Sequence, residues 1–125
     1  MSNNTPQNIE FGRIAAILPV KDIDKALKFY TGVLGFTKVF ENGTPTGFVI
    51  LKSGDAELHL TLQPHHKTPH FNVAHVMVNC VDTVYNLCVS NKIRIIKRLE
   101  NKEYGLRAFV FEDPDGNRID VGQDI

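Results

Sequence analysis

The sequence predicts an α+β fold built from two βαβββ modules, and three observations predict it. Each half opens on an apolar, strand-like run that gives way to a run of helical period. The second half repeats the first at an offset of 58 residues, placing Val78 on Val20, Val81 on Ile23, Asp82 on Asp24 and Leu87 on Phe29. The chain closes on two alternating runs joined by Asp113-Pro114-Asp115-Gly116, in which proline fixes φ early in a turn and glycine supplies a positive φ late. On the returning strand, period two puts Arg118 and Asp120 on one face and Ile119 and Val121 on the other. A carboxylate therefore stands in mid-strand, with its apolar neighbours turned away from it.

Residues 1–10 are polar and aperiodic and read as a flexible tail. Residues 13–20 form an apolar buried strand, with Pro19 placing its end near a sheet edge. Asp22 is an N-cap, Ile23, Ala26, Leu27, Tyr30 and Leu34 recur at helical spacing, and Gly35 is a left-handed stop, which predicts a helix over 22–34. Strands follow at 36–41, 47–52 and 57–63, separated by Asn42-Gly43 with Pro45 and by Ser53-Gly54-Asp55. The segment 64–71 holds three histidines and two prolines and reads as a linker. After the second helix, strands are expected near 94–100, 107–112 and 118–123. The organisation is one domain over 11–125: module one 11–63, linker 64–71 and module two 72–125.

Composition narrows the function. A chain of 125 residues that is 42% hydrophobic and 22% charged is ordinary for a globular domain. Fourteen basic residues balance fourteen acidic ones, so no overall field holds nucleic acid or an anionic membrane. No apolar run reaches the ~20 residues of a membrane span, and the N-terminus lacks the basic and apolar regions of a secretory signal. A cytoplasmic location is expected. Cys88 falls in the second helix and Cys80 just before it, so their separation of about 12 Å exceeds the ~7 Å Cα limit for a disulfide and both are expected as thiols.

Four stretches carry a resemblance: LPVKDIDKALKFYTGVLGF at 18–36, ELHL at 57–60, YGLR at 104–107 and DPDGNR at 113–118. Together they resemble the vicinal-oxygen-chelate superfamily, which includes glyoxalase I, extradiol dioxygenases, fosfomycin-resistance enzymes and bleomycin-resistance proteins, and they are most similar to its small bleomycin-resistance-like branch. The resemblance covers nearly the whole chain. It implies that the two modules form curved mixed sheets around a shared cavity, and that the protein is a homodimer with binding sites near the subunit interface.

Metal-dependent members of that superfamily carry ligands on the first, fourth, fifth and eighth strands. The equivalent positions here are Ala15, His59, Val73 and Asp120, of which only His59 and Asp120 have donor atoms. A catalytic zinc needs about three protein ligands. His75 lies two residues beyond Val73 on the same strand face, about 7 Å away, and reads as a hydrogen-bonded strand histidine. No cofactor is therefore expected; a divalent metal, if bound, would be held by His59 and Asp120.

The expected ligand-binding residues are His59, Thr61, His75, Tyr104, Phe109, Arg118, Asp120 and Phe48. His59 and Thr61 alternate with Leu58 and Leu60, so they point away from the core and toward the cavity. His59 meeting Asp120 would give a polar anchor; such a pair can also serve as a general base, but the sequence identifies no nucleophile or electrophile for it. Phe40, Phe48, Tyr104, Phe109 and Phe111 supply flat apolar walls, with some of them in the core. Arg107 reads as a surface salt bridge, and His65, His66 and His70 as solvated loop residues. With these residues, the resemblance implies a protein that sequesters an antibiotic or similar metabolite, with a glyoxalase-like lyase or dioxygenase using His59 and Asp120 as the alternative.

Overall fold

The computed structural model describes residues 8–125, so residues 1–7 of the expected tail lie outside it. The first module contains β1 (Ala16–Val20), α1 (Ile23–Leu27) continued by a π-helical segment (Lys28–Val33), β2 (Thr37–Asn42), β3 (Phe48–Ser53) and β4 (Ala56–Leu62). The second contains β5 (Asn72–Met77), α2 (Val81–Ser90), β6 (Arg94–Asn101), β7 (Leu106–Glu112) and β8 (Arg118–Asp124). The order βαβββ occurs twice, as the repeat predicts. Each module forms a four-stranded mixed sheet, ordered β1-β4-β3-β2 and β5-β8-β7-β6. β1 runs parallel to β4 and β5 to β8, and the remaining pairs are antiparallel.

The register carries the repeat down to single residues. Ile17 lies opposite His59 in the first sheet, and His75, 58 positions after Ile17, lies opposite Asp120 in the second.

Two local expectations are corrected. The first strand begins at Ala16, not residue 13, and Ile14 is 92% exposed. The helix expected over 22–34 is regular only for its first turns. Asp22 caps it, accepting from the Lys25 amide at 3.2 Å. Beyond Leu27 it widens: the Thr31 hydroxyl donates back to the Leu27 carbonyl, and the Leu34 amide donates to Phe29 at 3.1 Å. A back-bonding threonine followed by Gly32, a weak helix former, favours this widening. As a result the adjacent residues Phe29 and Tyr30 are both buried.

One hydrophobic core spans both modules. Leu18, Val49, Leu51 and Leu60 from the first sheet and Phe109, Phe111, Ile119 and Val121 from the second belong to the same cluster. Phe29 meets Phe111 edge-on across the boundary, with centroids 5.6 Å apart. The turn at 113–117 completes the junction. Asp113 accepts four hydrogen bonds: from the Tyr30 hydroxyl at 2.7 Å, from the amides of Asp115 and Asn117 at 2.9 and 2.8 Å, and from the Asn117 side chain at 3.0 Å. Asp115 accepts from the Lys21 amide at 2.7 Å, and the Asn117 side chain donates to the Pro19 carbonyl at 2.9 Å. Gly116 has φ +88°, and a Cβ there would lie 2.5 Å from the hydroxyl of Thr68 in the linker, so both backbone and packing require glycine.

Candidate functional site

Alternation in β3 and β4 sends Val49, Leu51 and Leu60 into the core and leaves Phe48, Ile50, His59 and Thr61 on the opposite, open face of the first sheet. Phe48 pairs with Thr61 across the strands and stands edge-on to His59, with centroids 5.4 Å apart; Phe40 extends the aromatic ledge at 6.2 Å from Phe48. The expected residues Phe48, His59 and Thr61 thus come together.

Glu57, two residues before His59 on the same face, organises this group. Its side chain is only 2% exposed, and it accepts from Arg13 at 2.6 Å and contacts His59 Nε2 at 2.7 Å, with Lys52 at 3.6 Å. The hydrogen bonds from Arg13 and His59 hold its carboxyl down to about 2. A depressed carboxyl stabilises the fold fully above its ordinary value near 4.5, and that contribution is lost as pH falls toward 2. Urea titrations of the wild type and Glu57→Gln at pH 5 and pH 3 are therefore expected to show a shallower acid loss in the variant.

The open face of the second sheet carries the second polar pair. His75 Nδ1 lies 2.7 Å from Asp120 Oδ2, and His75 Nε2 lies 3.2 Å from the Met77 sulfur. Gly122 makes room for both: a Cβ there would meet His75 at 3.3 Å and Met77 at 3.4 Å. Asp120, Tyr104, Asn72, Lys97 and Lys102 line a recess of about 100 Å³ together with Ala108, Phe109 and Val110 of β7. Arg118 lies on the same strand face as Asp120, its Nε buried and without a hydrogen-bond partner among the described residues. A larger cavity, about 910 Å³, opens between the modules. Its walls are mostly apolar, from Ala16 and Leu58 to Val76 and Phe111, with Glu57 and His75 among the polar groups; His59 and Asp120 do not line it.

The structure corrects one site expectation. Within one chain His59 and Asp120 stand on different sheets and bond to Glu57 and His75 respectively, not to each other. The Phe109 ring is 1% exposed and packs edge-on against Tyr85 at 5.1 Å, because its register partner is Val121 on the apolar face of β8, while the residue also lines the recess beside Asp120 and Tyr104. Arg107 is a salt bridge, donating to both carboxylate oxygens of Asp82 at 3.1 and 3.0 Å. His65 and His70 are exposed. Among the described residues no three His, Cys, Asp or Glu side chains gather where they could hold a metal ion. Glu57 was passed over in the sequence although the alternation in ELHL puts it on the face of His59; nothing there signalled that Arg13 would reach it.

A family model described as the Glyoxalase/Bleomycin resistance protein/Dioxygenase superfamily matches residues 11–121. No curated protein matches the chain in sequence. Among solved structures, a bleomycin-binding protein complexed with bleomycin is 26% identical with a TM-score of 0.75, covering 92% of this chain and 100% of its own. A bleomycin resistance determinant encoded on the transposon Tn5 is 26% identical with a TM-score of 0.76, covering 91% and 98%. A superfamily member from Sphaerobacter thermophilus is 25% identical with a TM-score of 0.73, covering 90% and 98%. With two βαβββ modules and a family match over nearly its full length, the chain belongs to the glyoxalase/bleomycin resistance protein/dioxygenase superfamily.

Proposed function

We propose that this protein binds an antibiotic or similar small organic metabolite and sequesters it, as a cytoplasmic homodimer and without metal chemistry. The observation that carries this reading is the pair of open sheet faces, each combining apolar or aromatic surface with one histidine–carboxylate pair, in a chain that follows the fold of a bleomycin-binding protein over nearly its whole length. Flat apolar walls with a few placed polar groups suit small-molecule recognition.

Dimerisation is supported by the β1 edge of the first sheet, where Ile17 is 63% exposed, and by the exposed Phe11 and Ile14 leading into it. Several large apolar side chains exposed at one sheet edge suit an interface, and a two-fold contact would cover them in both copies. A metal-free mechanism is supported by Ala15 and Val73 at two ligand positions, and by Glu57 bonding the Nε2 of His59. The cytoplasmic assignment is supported by two unpaired thiols, Cys80 and Cys88, the latter pushed up to about 11 by burial and so unreactive.

Untagged protein purified without added metal is expected to sediment as a dimer, carry no stoichiometric metal, and melt at higher temperature with saturating bleomycin or another ligand from an antibiotic panel, since a binder of the native state stabilises it by mass action. His59→Ala and Asp120→Ala should weaken that shift. One equivalent of divalent metal that disappears in both variants would establish the lyase or dioxygenase reading instead.

A further inference from the structure

The hydrogen bond between Glu57 and His59 has a direction. Glu57 receives the Arg13 guanidinium on Oε1 at 2.6 Å, with Lys52 nearby, and meets His59 Nε2 through Oε2 at 2.7 Å. A carboxylate bearing a guanidinium is ionised and has only lone pairs to offer. The proton in its bond with His59 therefore sits on Nε2. In the neutral imidazole one nitrogen donates and the other accepts, so Nδ1 carries the free lone pair. Among the described residues Nδ1 has no hydrogen-bond partner, and the histidine side chain is 20% exposed on a face that also carries Phe48 and Phe40.

We infer that Glu57 is a positioning residue which fixes the tautomer of His59, so that the site presents an imidazole lone pair beside an aromatic ledge and selects aromatic ligands bearing a hydrogen-bond-donor hydroxyl, of phenolic type. This rests on the small-molecule-binding reading and adds the class of ligand. Phe48, edge-on to His59, offers a face on which such a ring packs while its hydroxyl donates to Nδ1. A ligand offering only an acceptor there would set lone pair against lone pair. Arg13, 67% exposed and outside β1, is the outer clamp on this arrangement: it pairs with the Glu57 oxygen that His59 does not use.

The test has two arms. Long-range nitrogen–proton NMR of the wild-type protein at pH 8.5 is expected to show His59 protonated at Nε2 and bare at Nδ1. The opposite tautomer would overturn the assignment. In Glu57→Gln the amide can donate to Nε2, so the tautomer is expected to shift toward Nδ1–H. A tautomer that stays unchanged in this variant would show that Glu57 does not set it.

The second arm compares 2-naphthol with 2-methoxynaphthalene, which share a ring system and differ in the donor. Wild type is expected to bind the naphthol about tenfold more tightly, the scale of one hydrogen bond, and Glu57→Gln to lose that preference while still binding the ring. Equal affinities in wild type would reject donor selection and leave sequestration standing. Failure of both probes would reject the ligand class, whereas the sequestration reading stands or falls on the separate bleomycin and antibiotic titrations.

Discussion

Asp113→Ala is expected to cost about 3–5 kcal/mol of stability, the range for removing one partner from a buried charged network. Domains of this size are stable by only about 5–15 kcal/mol, so the variant should lose a large share of its stability margin. The residue is 3% exposed, and its carboxylate receives the Tyr30 hydroxyl, two backbone amides and the Asn117 side chain. Alanine strands all four donors, and a buried unsatisfied donor costs about 1–3 kcal/mol. Burial outweighs the pull of its four donors and raises the Asp113 carboxyl, and burial beside that carboxylate pushes the Tyr30 hydroxyl well above its usual range. Asp113→Asn should cost less than alanine, because its carbonyl oxygen can still accept the two amides, although the NH2 replacing Oδ2 meets the Asn117 amide donor against donor and makes the Tyr30 hydroxyl turn to accept. Tyr30→Phe should cost least, since it removes one donor and leaves three. Denaturant melts of the three variants should fall in that order; an alanine variant as stable as Tyr30→Phe would show that the turn is not the junction between modules.

Phe109→Ala and Phe48→Ala are expected to separate the core from the ligand face. Phe109 is 1% exposed and packs against Tyr85 and Phe111, so its truncation should cost about 3–5 kcal/mol, as large aromatic-to-alanine changes do. Phe48 is only partly buried, and the same change there should cost roughly 1 kcal/mol. Ligand titration should show the reverse order, with Phe48→Ala weakening binding and the folded fraction of Phe109→Ala retaining it. A Phe109→Ala protein of normal stability that no longer binds would return Phe109 to the site.

The contrast between these two phenylalanines shows where the sequence stops being informative. Period two correctly set Arg118 and Asp120 against Ile119 and Val121, and His59 against Leu58 and Leu60. It also puts Phe109 and Phe111 on one face. Which face depends on the hairpin register, which pairs them with Val121 and Ile119, and register follows from how the 113–117 turn closes. The duplicated βαβββ order was legible because hydrophobic period survives divergence. The widened helix was not, since it depends on a threonine hydroxyl bonding back to the chain. Nor was the separation of the two histidine–carboxylate pairs, because Arg13 drawing Glu57 and Met77 flanking His75 are contacts set by tertiary placement.

The turn at 113–117 also bears on how the chain could be divided. The bonds from Tyr30 to Asp113, from Lys21 to Asp115 and from Asn117 to Pro19, together with the Phe29–Phe111 contact, run from one module to the other without using the peptide that connects them. The halves adhere through space, and the connecting segment both packs Thr68 on Gly116 of this turn and keeps the halves at high local concentration. The protein is thus, in physical terms, a heterodimer that happens to be encoded as one polypeptide, and two fragments severed within residues 64–71 retain the surfaces needed to find each other.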